Sequence, residues 1–141
     1  DDIEQLLETA LTEVEGLTYL GYVSHTTRYD LYNNCSCFVF TSMAEGFGMP
    51  ILEVMKHNKP ILASNLKIFD EVVGDCVERF SLAGDDDDKV ISFVNGMKNI
   101  DKKINSGLVD ENAYRHALDK YTPERLGGMV RDFINSQMNN R

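Results

Sequence analysis

The feature that most constrains this chain is an alternation of very short, continuously apolar runs with longer amphipathic segments. Cys37-Phe38-Val39-Phe40-Thr41 and Pro60-Ile61-Leu62-Ala63 are apolar without a polar partner at every second place. Runs of this kind suit strands covered on both faces, as in a parallel sheet. The segment between them, Gly48 to Lys56, carries Met49, Ile51, Leu52, Val54 and Met55 and is apolar nearly all round. A helix with that pattern is expected to lie between other elements. Strand, helix and strand in this order require a crossover and a parallel sheet with helices on its faces.

The rest of the chain extends the pattern. Ile3, Leu6, Leu7, Ala10, Leu11 and Val14 recur at helical spacing, so residues 3–14 are predicted as an amphipathic helix ended by Gly16. Leu17 to Leu20 reads as a short strand closed by Gly21, and Ser24 as the cap of a helix over 25–34. Phe69 to Val73 reads as a short helix stopped by Gly74, followed by a strand over Val77 to Phe80. Asp85 to Asp88 is read as a solvated acidic turn favouring the dipole of a helix over Lys89 to Met97. Residues 101–105 and 110–120 are expected to be helical, and Thr122-Pro123-Glu124 opens a last helix.

Composition narrows the function classes. The 141 residues carry 14 basic and 23 acidic side chains, a formal net charge of −9. Such a surface repels phosphate backbones and anionic lipid, so nucleic acid is not an expected partner. No apolar run approaches the ~20 residues of a membrane span. Cys35, Cys37 and Cys76 form no disulfide framework and are read as small buried hydrophobes of a reducing compartment, the cytoplasm. With three histidines in the chain, no metal-ligand cluster is apparent, and no metal is expected. The chain begins Asp1-Asp2 and is read as one domain, residues 1–141, cut from a longer protein.

In open parallel sheets, ligands bind at the carboxyl ends of the strands. The loop after Phe38 to Thr41 reads Ser42-Met43-Ala44-Glu45-Gly46-Phe47-Gly48-Met49-Pro50, and seven residues separate Glu45 from Glu53. Gly46 and Gly48 allow positive φ and close approach of a ligand. The helix start near Gly48 presents free N–H groups to an anion. Glu53 lies about a turn inside an apolar helix, where a carboxylate needs hydrogen-bond donors such as sugar hydroxyls. From spacing alone the segment reads equally well as a Gly-rich helix start with a structural acid at its mouth.

The stretch Thr41 to Met55 resembles the E-x7-E signature of retaining GT-B glycosyltransferases, especially glycosyltransferase family 4. Further matches follow in order. Leu20-Gly21-Tyr22-Val23-Ser24 resembles "(F/L)-L-G-x-V-S", and Leu31 to Phe40 resembles "L-Y-x-x-A-D-V-F-V-F". Lys59 to Ser64 resembles "x-P-V-I-A-S", and Glu71 to Asp75 resembles "E-V-V-G-D". The resemblance covers roughly residues 17 to 80 and weakens towards the carboxyl terminus. Thr41, Ser36 and the His57-Asn58-Lys59 turn depart from the family pattern.

The resemblance implies a Rossmann-like parallel sheet with helices on both faces, part of the C-terminal domain of a GT-B fold. It implies a nucleoside diphosphate sugar as donor substrate, with no cofactor. Glu45 would be the catalytic carboxylate, contacting the donor sugar and not assigned as a covalent nucleophile. Gly46 and the amides of Phe47, Gly48 and Met49 would line the sugar and diphosphate. Glu53 would bind the ribose, and Tyr22 and Val23 would meet the base. An acceptor-binding N-terminal domain and a basic diphosphate clamp would lie outside the chain, placing the protein in the cytoplasm, peripheral to the membrane through that domain. The sheet edge left by missing strands is expected to self-associate or to be covered by the first helix. Two other readings stay open: a GT-B relative with different sugar-nucleotide chemistry, such as an epimerase, and a fragment that only binds nucleotide.

Overall fold

The computed structural model describes residues 2–107 and 109–139. Two compact units make up the chain, Asp1–Leu31 and Tyr32–Arg141.

The first unit holds α1 (Asp2–Glu13) and the start of α2 (His25–Asn34). Gly16 and Gly21 take positive φ, as turn residues do. Ser24 caps α2 as its sequence predicts, since its hydroxyl accepts from the Thr27 amide at 3.1 Å. The strand expected over Leu17 to Leu20 is not formed. A lone parallel strand has no internal hydrogen bonds and needs a neighbour, and among the described residues this segment pairs with none. Leu17, Tyr19 and Leu20 are exposed instead.

The second unit is built on a parallel sheet of three strands in the order β1 (Phe38–Phe40), β2 (Ile61–Ser64), β3 (Glu78–Phe80). Phe38 sits beside Ile61, and Leu62 beside Glu78. Strand alternation divides the core into two layers. Ile61 and Ala63 point to one face, against α3 (Met49–Met55), α4 (Ile68–Val72) and α6 (Glu111–Asp119). Leu62 and Phe80 point to the other, against Ile100 of α5 (Asp86–Ser106). Helices therefore cover both faces, which is the Rossmann-like α/β arrangement.

Burial on both faces holds for the central strand β2, which is buried throughout. It does not hold for Phe38–Phe40, which is half-buried because β1 lies at an edge of the sheet. The helices expected over 89–97 and 101–105 are one helix of 21 residues, since no Gly or Pro that would stop it intervenes except the buried Gly96. Gly96 is tolerated because its missing Cβ makes room for Leu62. The start of α5 is a capping box: Asp85 accepts from the Asp88 amide at 2.9 Å, and the Asp88 carboxylate accepts from the Asp85 amide. The last helix, α7 (Pro123–Asn139), is capped by Thr122 through the Arg125 amide. The three thiols are free and half-buried rather than enclosed, and burial pushes the pKa of each upward.

Candidate functional site

The loop from Thr41 to Gly48 leaves the carboxyl end of β1 and enters α3. Ser64, buried at the carboxyl end of β2, donates from its hydroxyl to the Ser42 carbonyl at 2.5 Å. This bond fixes the start of the loop to the neighbouring strand. The far end is fixed by packing. Gly48 takes φ +84, and a Cβ there would stand 2.5 Å from the Phe69 ring of α4. Only glycine meets both conditions. Gly46 was expected to share this conformation and does not: its φ is ordinary and the space around it is open.

Between these anchors the loop faces solvent. Met43, Ala44 and Gly46 are exposed, and Glu45 is half-buried. Phe47 turns inward, with its ring edge-on to Tyr121 at a centroid distance of 5.0 Å. The Tyr121 hydroxyl donates to the Glu71 carbonyl at 3.4 Å, and its pKa is raised by burial and by the nearby Glu71 charge. Pro50 lies in the first turn of α3, where its missing N–H costs no helical bond.

Helix α3 is not apolar all round. Ile51, Leu52, Val54 and Met55 are buried, whereas Met49 is exposed and Glu53, one turn later on the same stripe, is half-buried. Glu53 is therefore not the enclosed carboxylate that the apolar neighbours imply.

The second unit thus brings together Glu45, Gly46, Phe47, Gly48, Met49 and Glu53 along one loop and the first turns of one helix. Tyr22 and Val23 belong to the first unit, where Tyr22 is 97% exposed and Val23 half-buried. Sequence reasoning missed Ser64, Phe69 and Tyr121, which hold the loop. Their only signals were a serine ending an apolar strand and two aromatics at helix edges.

His25 stands exposed at the start of α2 and accepts from Arg28 at 2.8 Å through Nδ1. Tyr32 packs on Phe38 at 5.5 Å, and Tyr29 is 61% exposed. Asn58 takes φ +53 in the turn after α3, a conformation that asparagine tolerates.

A cavity of about 470 Å³ lies at the opposite, amino end of the sheet, lined by Pro60, Ile61, Cys76, Glu78, Tyr114 and Ala117 among others. Two of its polar side chains make bonds within the fold. Tyr114 donates to the Lys59 carbonyl at 3.0 Å, and Glu78 accepts from Lys103 at 2.8 Å and from Asn99 at 3.0 Å. Burial raises the pKa of Glu78, but the bonds from Lys103 and Asn99 and the Lys103 charge outweigh it, leaving a net lowering. Among the described residues no cluster of His, Cys, Asp or Glu is placed to hold a metal ion. Among them, too, no helix is long and apolar enough to cross a membrane.

The sequence pattern of the family "Glycosyl transferases group 1" matches residues 4–125. The chain is 43% identical over 75 residues to O-antigen chain mannosyltransferase B of Escherichia coli, covering 53% of this chain and 19% of that protein. It is 37% identical over 79 residues to the serotype-specific mannosyltransferase WbdA of Escherichia coli, covering 52% of this chain and 9% of that protein. It is 33% identical over 86 residues to the O-antigen chain mannosyltransferase RfbU of Salmonella typhimurium, covering 61% of this chain and 23% of that protein. The chain matches between 9% and 23% of the length of these curated relatives. With a match over 122 of its 141 residues, the chain belongs to the group 1 glycosyltransferases.

Proposed function

We propose that this chain is the donor-binding part of a retaining hexosyltransferase that takes a nucleoside diphosphate sugar and builds a polysaccharide. The observation that carries the reading is the Glu45-Gly46-Phe47-Gly48 loop, anchored at both ends at the carboxyl end of β1 and leading to a half-buried Glu53. The names of the relatives favour mannose as the sugar and surface polysaccharide as the product. The reading includes an acceptor-binding domain and a basic diphosphate clamp outside these residues, which accords with the small share of the relatives that the chain matches. It places the protein in the cytoplasm, in accord with three free thiols.

Glu45 would accept hydrogen bonds from the sugar hydroxyls and oppose the positive charge that develops at the anomeric carbon. The bond from that carbon to the diphosphate oxygen breaks as the bond to the acceptor oxygen forms on the same face. The acceptor proton passes to the departing phosphate oxygen. Gly46 and the amides of Phe47, Gly48 and Met49 would lie against the sugar and diphosphate, Glu53 would take the ribose hydroxyls, and Tyr22 and Val23 would meet the base. No metal is required in this scheme.

The test uses the full-length enzyme with GDP-mannose, UDP-glucose and ADP-glucose, reading nucleotide release. Release with one of them, strongly reduced in Glu45→Gln, supports the reading. Binding of a sugar nucleotide without transfer would favour the epimerase-like or purely binding alternatives. Full activity in Glu45→Gln overturns the role given to that carboxylate.

A further inference from the structure

The loop is held at Ser42 and at Gly48, but the residues between them have few attachments. Met43 is 83% exposed, and Gly46 has nothing near its Cβ position. Phe47 is the inward-turned side chain of this stretch, and what it meets is Tyr121, in the connection between α6 and α7. Both rings pack on the core layer built by α3, α4 and α6. Tyr121 also reaches α4 through its bond to the Glu71 carbonyl. One side chain thus ties three segments together: the loop, α4 and the start of α7.

We propose that Tyr121 is a positioning residue for the Glu45–Gly48 loop. Its ring fixes Phe47, and Phe47 fixes the direction in which Glu45 leaves the loop, two residues away. This inference rests on the donor-site reading given above. Without the ring, the loop would be ordered only when donor binds, so the loss would fall on donor affinity rather than on the chemical step.

The test compares Tyr121→Ala and Tyr121→Phe in the full-length enzyme. Tyr121→Phe keeps the ring and loses the weak hydroxyl bond. In Tyr121→Ala, amide hydrogen exchange should quicken over residues 42–49 while β2 and the rest of α3 remain protected. With GDP-mannose, the donor KM should rise by about 2- to 12-fold at little changed kcat, the factor expected from losing one aromatic pair. Tyr121→Phe should restore both. Unchanged exchange over 42–49, or quickening spread evenly over β2 and α3, overturns the positioning role. So does a Tyr121→Phe variant that behaves like Tyr121→Ala. Quickened exchange confined to the loop with an unchanged KM supports the anchoring and overturns the donor-site reading, so the two failures are distinct.

Discussion

Gly46 and Gly48 stand two residues apart in the same motif and do different work. Gly48 is fixed by conformation and by the Phe69 ring, so Gly48→Ala combines backbone strain with overpacking. Each is worth about 1–3 kcal/mol, and the variant should lower the melting temperature of the enzyme clearly. Gly46 has neither constraint. Gly46→Ala should leave melting unchanged, and it should weaken donor binding if Gly46 gives the donor the close backbone approach proposed above. Thermal melting of both variants beside donor titration checks the contrast. Equal melting losses would mean that Gly46, too, is structural.

Glu78 gives a pH prediction at the same scale. Its carboxyl is held below the usual range by Lys103 and Asn99 despite partial burial. A carboxyl depressed in the folded state adds stability above its unfolded value of about 4.3, and that stability disappears as pH falls through the folded value. Denaturation of the wild type should therefore lose stability more steeply than Glu78→Gln as pH drops from about 5. Parallel pH dependences would show that the ion pair contributes nothing.

Among the elements, glycine again separates packing from propensity. Gly96 lets α5 approach Leu62 of β2, with a built Cβ only 2.6 Å from the leucine methyl. Gly96→Val should destabilise by about 1–3 kcal/mol. Gly127 and Gly128 in α7 have nothing within 4 Å, and alanine at either should stabilise the helix by about 1 kcal/mol. Denaturant unfolding reads both signs, and a stabilising Gly96→Val would contradict the packing of α5 on β2.

The elements that sequence made legible are those whose signals are local. Caps at Ser24 and Thr122 carry their own hydrogen-bonding chemistry, and β2 carries its own apolar run, whereas the acidic turn at Asp85, legible only for its charge, is a capping box. What stayed hidden depends on neighbours. Leu17 to Leu20 has strand chemistry but no partner strand, and β1 has a buried strand's sequence at an edge. The loop motif was legible as a candidate site, whereas its anchors were not. Tyr121 lies 74 positions after Phe47, and no periodicity links them.

For the whole molecule, the outstanding feature is apolar surface. Leu126, Met129, Val130, Phe133, Ile134 and Met138 recur at helical spacing along α7 and are all exposed. β1 pairs with β2 on one side, and among the described residues no strand takes its other side. Surface of this kind is an interaction site or an aggregation liability. The isolated chain should therefore self-associate in sedimentation and should not transfer sugar. A clean, transfer-competent monomer would contradict both expectations.

Under the proposed function Glu45 and Glu53 divide the donor between them, and calorimetry on the full-length enzyme separates the two roles. Nucleoside diphosphate affinity is measured for the wild type, Glu53→Gln and Glu45→Gln, using the nucleotide whose sugar is turned over. A hydrogen bond to a charged group is worth about 1.5–3 kcal/mol, so Glu53→Gln should weaken the nucleotide by about one to two orders of magnitude. Glu45→Gln should leave the bare nucleotide nearly unaffected while reducing transfer, because its proposed partner is the sugar. Loss of nucleotide in Glu45→Gln with retention in Glu53→Gln would contradict the account.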